Sequence, residues 1–460
     1  MSANSFLSRA DTLASAAIQN SGAVLRRLSV ALAAHYRPIL LSLVIVLIIL
    51  KAPMVLVRPR LWAEESFYLA YALKHSFLQG LLWSRESVGY YSLTANVPAV
   101  IAAIIAEKFS LEYAPFVTTY FSLVVQIVPF AILIFGKSHL FLNRFLVTIG
   151  CLVMVVPATN SGEIWFNTIN AKNWVGLAAF IILFEDMSQW SNRKTWFFRW
   201  VVVFCGLSGP YAAVLAPILA LSYFVYRERE RLVQAGILGG CCLIDLALLI
   251  FEVHAGGAGL RTKVFTWDSA VVNIFYFQAV WAFLGEKSMK VCKLFGLADA
   301  IQKSYAVPRG GQVITAAWLC LLAVVVFIHI FWTKKKILSE QTLLVTSFLL
   351  FAGFTARSAL MGIPSNRYAS LPGLALLLLL VSAWDRHSQI IVRVLAIILV
   401  TCALWRGMVD YRKFFDRMSP SQPVWREEVQ KWRTNPSYAP AVWPIGWAPL
   451  DWKPDLHKRK

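Results

Sequence analysis

Long unbroken apolar runs separated by short polar joints fill most of this chain. The first runs from about Pro38 to Val57, and others lie near 92–106, 115–136, 140–157, 173–187, 197–208, 210–226, 232–253, 268–284, 312–332, 341–360, 368–384 and 390–408. A helix rises ~1.5 Å per residue, so runs of this length approach the thickness of a ~30 Å hydrocarbon layer. In that layer only helices or a closed barrel satisfy the backbone, and these runs are continuous rather than alternating. The pattern predicts an all-α, polytopic membrane protein with about 11 to 13 transmembrane helices. The count turns on two runs: 92–106 is short and contains Pro98, and 268–284 carries Asp268, Asn273 and Gln278.

Composition agrees, with 58% hydrophobic residues and only 15% charged. A mean hydropathy of +0.62 is far above what a soluble domain needs to cover its core. In a soluble protein the net charge of +20 would suggest nucleic acid. Here Lys and Arg cluster in short loops between spans, the habit of cytoplasmic loops, so no nucleic-acid partner is expected.

Charge then assigns sides. Loops with Arg193, Lys194 and Arg199, with Arg227 to Arg231, with Lys334 to Lys336, and with Arg386 read as cytoplasmic. The segments around Glu163, Ser208 to Pro210, 254–311 and Arg357 to Arg367 then face the other side. One conflict remains: if 92–106 and 115–136 both cross, the loop with Lys137, His139 and Arg144 falls outside, against the rule.

The expected organisation follows. Residues 1–37 form a cytoplasmic segment leading, without a cleavable signal, into the first span. Residues 38–408 form the transmembrane domain, with a first outer loop at 58–91 and an outer or re-entrant region at 254–311, and 409–460 form an outer tail. Cations outside the short loops, among them Arg261, Lys263, Lys287, Lys290 and Lys293, are placed to meet anionic lipid. The cysteines show no zinc, redox or disulfide spacing.

In the tail, Pro423 can open a helix with Trp425, Val429 and Trp432 on one face and a Glu427–Lys431 pair on another. With Trp443, Trp447 and Trp452 following, the favoured reading is a membrane-interface anchor, with sugar stacking as the alternative.

Carboxylates are scarce, which makes those in outer segments the natural candidates for chemistry. Glu64 and Glu65 follow the first span, with Tyr68 one turn on. On a helix the two Glu residues point about 100° apart, so only one can face a cavity. A carboxylate at headgroup depth can take the proton of an attacking hydroxyl; the plainer alternative is acidic residues favouring a helix N-terminus.

Read as a helix, residues 163–174 align Glu163, Asn167, Asn170 and Trp174 on one polar-aromatic stripe suited to polyol hydroxyls. Arg357 and Arg367 bracket an outer loop, and Tyr368 begins the next span; Arg grips phosphate with paired hydrogen bonds or reaches lipid headgroups. Asp245, mid-run, is an intramembrane acid that keeps a transporter reading open. No His, Cys or paired-Asp cluster marks a metal site.

One span followed by an acidic pair and, three residues on, Tyr68 resembles the GT-C superfamily of membrane glycosyltransferases. That superfamily includes aminoarabinose transferases, protein O-mannosyltransferases and phage-type O-antigen glucosyltransferases. The Glu163 segment, Ser208-Gly-Pro210, Arg367-Tyr368 and Trp443-Pro-Ile-Gly-Trp447 are similar to bacterial surface-polysaccharide transferases of this type.

The resemblance implies a GT-C-like fold in a bacterial inner membrane and inverting transfer from a polyprenyl-phosphate sugar to a cell-envelope glycan or glycolipid. It places the base on Glu64 or Glu65, needs no nucleotide cofactor, and leaves a divalent metal open because Glu-Glu replaces the commoner Asp-containing pair. A polysaccharide polymerase or a lipid-linked glycan flippase is the alternative.

Overall fold

The computed structural model describes residues 34–84, 90–141, 143–157, 162–188, 190–254, 280–287, 290, 366–386, 390–413, 415, 424–435 and 437–443. Among them there is no strand, only the isolated bridges Trp62–Trp443 and Ser138–Glu185. The helices are α1 Tyr36–Lys51, α2 Pro53–Val57, α3 Glu65–Lys74, α4 Phe77–Leu82, α5 Leu93–Lys108, α6 Ala114–Phe135, α7 Arg144–Val155 and α8 Ala171–Ile182. They continue as α9 Asn192–Gly206, α10 Tyr211–Tyr226, α11 Arg229–His254, α12 Asn366–Arg386, α13 Ile390–Asp410 and α14 Trp425–Thr434.

Three stretches, Leu111–Phe135, Arg229–Glu252 and Ile390–Asp410, are long and apolar enough to cross a membrane. Shorter apolar helices are Arg144–Val155, Ala171–Ile182, Tyr211–Tyr226 and Ser370–Trp384. The expected runs 312–332 and 341–360, and nearly all of 268–284, lie outside the described residues.

Several boundaries follow from local chemistry. The Asn143 side chain accepts from Leu146 N–H at the start of α7, and Ser191 does the same for Lys194 in α9. Ser76 and Gln79 form a reciprocal capping box that starts α4.

Hydrogen bonds between loops sort the helix ends onto two sides. On one, His139 N–H donates to Phe184 O (2.6 Å), and Asp186 N–H to Lys137 O (2.8 Å). Arg231, fully buried, donates to Leu183 O and Glu185 O and pairs with Glu228 at 2.6 Å. Tyr36 OH donates to Arg144 O (2.6 Å), which brings the start of α1 to this basic end. The loop with Lys137, His139 and Arg144 therefore shares a side with Lys194 and Arg227 to Arg231, and the charge conflict in the sequence disappears.

The reason is α5. Its first turn meets the far end of α9, through Leu93 N–H to Leu207 O (2.7 Å). Just past its last turn, Leu111 O accepts from Trp425 of the tail, and Glu112 pairs with Arg433. Both ends of α5 thus lie at the acidic end, the side that carries Glu64, and α5 does not run between the two sides. The 92–106 stretch is apolar because Ala95, Ala99, Val100, Ala102, Ala103 and Ala106 are buried in a second hydrophobic cluster. That cluster joins α3, α5, the start of α6 and the tail, and it sits apart from the main core of α1 and α6 to α13.

The tail completes this second layer. Trp425, Val429 and Trp432 do share a face of α14, but that face packs on protein rather than lipid. Beyond it, Trp443 bonds the first outer loop: Ala63 N–H to Trp443 O (2.7 Å) and Trp443 N–H to Leu61 O (3.1 Å). The Trp62 and Trp443 rings meet edge to face with centroids 4.3 Å apart. The interface-anchor reading is corrected for Trp425, Trp432 and Trp443, while Trp447 and Trp452 lie outside the described residues. The expected Glu427–Lys431 pair is also replaced: Lys431 pairs with buried Glu428 at 2.7 Å, one turn closer.

Candidate functional site

The acidic pair opens α3, with Glu64 at the N-cap and Glu65 as the first helical residue. A negative charge there is favoured by the helix dipole, so local electrostatics alone explains part of the pair. The tertiary structure then divides it.

Glu65 is 2% exposed and fully engaged. Oε1 accepts from Thr168 N–H (2.7 Å) and from the Thr168 hydroxyl (2.8 Å). Oε2 accepts from Trp62 N–H (2.7 Å) and, at 3.5 Å, from the Thr118 hydroxyl. Burial pushes its pKa up to about 7, and the hydrogen bonds from Thr168 and Trp62 pull the other way. Such a carboxylate stitches α3, α6 and the 162–170 segment together, with its lone pairs spoken for.

Glu64, one position earlier, is half-buried. Tyr68 is buried, with its ring edge-on to Trp83 at 5.0 Å. Trp83 stacks in turn on Tyr71 at 4.4 Å, so the residues after the acidic pair form an aromatic wall.

The expected helix over 163–174 does not form. A single 3-10 turn, Gly162–Ile164, is followed by Phe166 at φ 56, and α8 starts only at Ala171. The left-handed conformation costs a non-glycine residue about 1–2 kcal/mol and breaks the helical register. Packing holds it there: the Phe166 ring meets Trp165 and Phe415 at 6.3 and 6.1 Å.

The side chains expected on one stripe instead bind their own loop. Asn167 and Asn170 both donate to Glu163 O, and Asn167 Oδ1 accepts from Asn170 N–H (2.9 Å). Trp174 donates from its indole to Ile164 O (2.9 Å) and is buried between Trp165 and Phe130. The loop's service to the site is the placement of Thr168 on Glu65, a contact that no spacing in the sequence announces.

Of the expected phosphate-binding group, Arg357 lies outside the described residues; Arg367 and Tyr368 fall in the first turn of α12, with side chains outside them. Lys287 and Lys290 are exposed, as a lipid-facing role requires. A cation unmarked in the sequence sits at the acidic end of α1. Lys51, 4% exposed, donates to Val155 O (2.8 Å) and lies over the rings of Tyr411 and Trp165 at 4.2 and 4.8 Å. Nearby, the Arg60 guanidinium lies 4.3 Å from the Trp443 ring centroid. No group of three potential metal ligands occurs among the described residues.

No protein-family model, curated protein or solved structure matches this chain.

Proposed function

We propose that this protein is an inner-membrane glycosyltransferase of GT-C-like architecture, acting at its acidic end with Glu64 as the base. The observation that carries the reading is the unequal use of the two acids. Glu65 spends its lone pairs on Thr168, Trp62 and Thr118, which leaves the half-buried Glu64 beside it as the carboxylate positioned to accept a proton.

In the reaction, the acceptor hydroxyl oxygen attacks the anomeric carbon of a polyprenyl-phosphate-linked sugar. The carbon–oxygen bond to phosphate breaks, and the lipid phosphate leaves with the electron pair. Glu64 takes the hydroxyl proton, and cations at this end, with Arg357 and Arg367 the proposed pair, stabilise the departing phosphate. The lipid-linked donor is already activated, so no nucleotide enters. The positive-inside rule places the basic end in the cytoplasm and the acidic end in the periplasm, which fits a lipid-linked donor and a cell-envelope glycan or glycolipid acceptor.

The test is the envelope glycan composition of cells carrying wild type, Glu64→Gln, Glu65→Gln or a deletion, at matched membrane levels. Loss of one glycan substituent with Glu64→Gln supports the reading. An unchanged glycan in both variants, where the deletion alters it, overturns it and favours transport or polymerisation.

A further inference from the structure

A second polar corner lies at the acidic end, where the start of α5 meets the far ends of α4, α9 and α8 and the side of α11. Asp245 of α11, mid-way along an apolar helix, is 9% exposed, and its Oδ1 accepts from Tyr91 N–H at 3.0 Å. Its Oδ2 is buried without a partner. Thr94, on the first turn of α5, takes its backbone N–H to Ser208 Oγ (3.3 Å), yet its own buried hydroxyl has no partner. Asn96 donates to Leu81 O (2.9 Å) and Trp83 O (2.7 Å), while its buried Oδ1 is unpaired, as is the Ser84 hydroxyl. A buried unpaired polar atom costs about 1–3 kcal/mol, so several converging on one corner need a common occupant.

A cation and rings border the same corner. Lys172, on the first turn of α8, donates to the Tyr90 hydroxyl (2.5 Å). Its methylenes pass Gly209, where a β-carbon would come within 3.3 Å of them. Gly209 also sits at φ 142, so glycine is needed for the turn between α9 and α10.

We propose that this corner is a carbohydrate subsite. Asp245 Oδ2 and Asn96 Oδ1 accept hydroxyl hydrogens of a sugar ring, the Thr94 and Ser84 hydroxyls donate or accept, and Lys172 donates from the edge. Mixed donors and acceptors suit a polyol, because each ring hydroxyl both gives and takes a hydrogen bond. A bare cation would want clustered acceptors, and an inorganic anion would not be met by Asp245. The proposal rests on the glycosyl-transfer reading for its biological meaning: α8 carries Lys172 only four residues after Thr168, which holds Glu65. This corner would then seat a sugar beside the carboxylates that act on it.

The experiment uses the full chain in detergent, titrated with a panel of methyl glycosides of neutral and amino hexoses. Binding is read by tryptophan fluorescence and by the shift in Tm. At least one glycoside is expected to bind wild type and Glu64→Gln alike. Asp245→Asn and Thr94→Val should weaken it about tenfold, the effect of one lost polar pair. Lys172→Met, at the partly exposed edge, serves as a variant with little risk to folding and should weaken the same glycoside.

If no glycoside binds wild type better than the variants, the corner holds only water and the proposal is overturned. That failure is separate from the catalytic reading, which stands or falls on the glycan change in Glu64→Gln cells. Glycoside binding without that change would keep the subsite and move it into a transporter.

Discussion

Glu65 accepts two hydrogen bonds from Thr168, one from the backbone and one from the hydroxyl, across a separation of 103 residues. That pair fastens the first outer loop to the segment before α8, and it makes Glu65 a support for its neighbour. Glu65→Gln puts an NH₂ where one oxygen accepts, and Thr168→Val removes the hydroxyl. Each should lower stability by about 1–3 kcal/mol, while Glu64→Gln should stay within about 0.5 kcal/mol of wild type. Thermal unfolding in detergent separates the three.

Glu65 also gives the fold a pH signature. Burial raises its pKa from 4.5 to about 7, so the folded state holds a proton that the unfolded chain has released. Stability from this group is fully present below about pH 4.5 and is lost as pH rises through about 7, at no more than about 1.4 kcal/mol per pH unit. The Tm of wild type should fall across that window, and the Glu65→Gln profile should be flatter there.

The tail is held by Glu428, which is 3% exposed, pairs with Lys431 and accepts from Tyr438 OH and Ala441 N–H. This fixes the turn that delivers Trp443 to Trp62. Glu428→Ala should cost about 1–3 kcal/mol and speed hydrogen exchange at Ala63, whose N–H is bonded to Trp443 O. Glu427→Ala, at an exposed position one residue away, should change neither.

Topology gives a direct labelling test. With the native cysteines replaced, single cysteines at Phe77 and Lys108 should react with an impermeant maleimide from the same side of the membrane. A cysteine at Lys137 should react only from the opposite side. Labelling of Lys108 together with Lys137 would mean that α5 crosses after all.

At the basic end, Arg231 is fully buried among Glu228, Leu183 O, Glu185 O and the Tyr226 ring. Arg231→Met strands those acceptors and should cost about 3–5 kcal/mol, visible as a lower Tm or reduced membrane yield. Arg231→Lys should recover only part of the loss, because an ammonium cannot reproduce the planar fork of donors.

The sequence by itself determined the helical, membrane-compatible class, because continuous apolar runs leave no other way to satisfy a backbone in hydrocarbon. It also located the acidic pair and the Trp425–Val429–Trp432 face of α14, since helical period and charge scarcity are local properties. It read residues 163–174 as one helix, because the composition gives no sign that Phe166 turns left-handed under the packing of Trp165 and Phe415.

Only the tertiary structure decided what each apolar face meets. The 92–106 run and the tail tryptophans bury against one another instead of lipid, and hydropathy scores both environments alike. It likewise separated Glu64 from Glu65, adjacent and chemically identical in sequence. The difference between them is made by Thr168 and Thr118, residues brought to one carboxylate by chain segments that know nothing of each other until they pack.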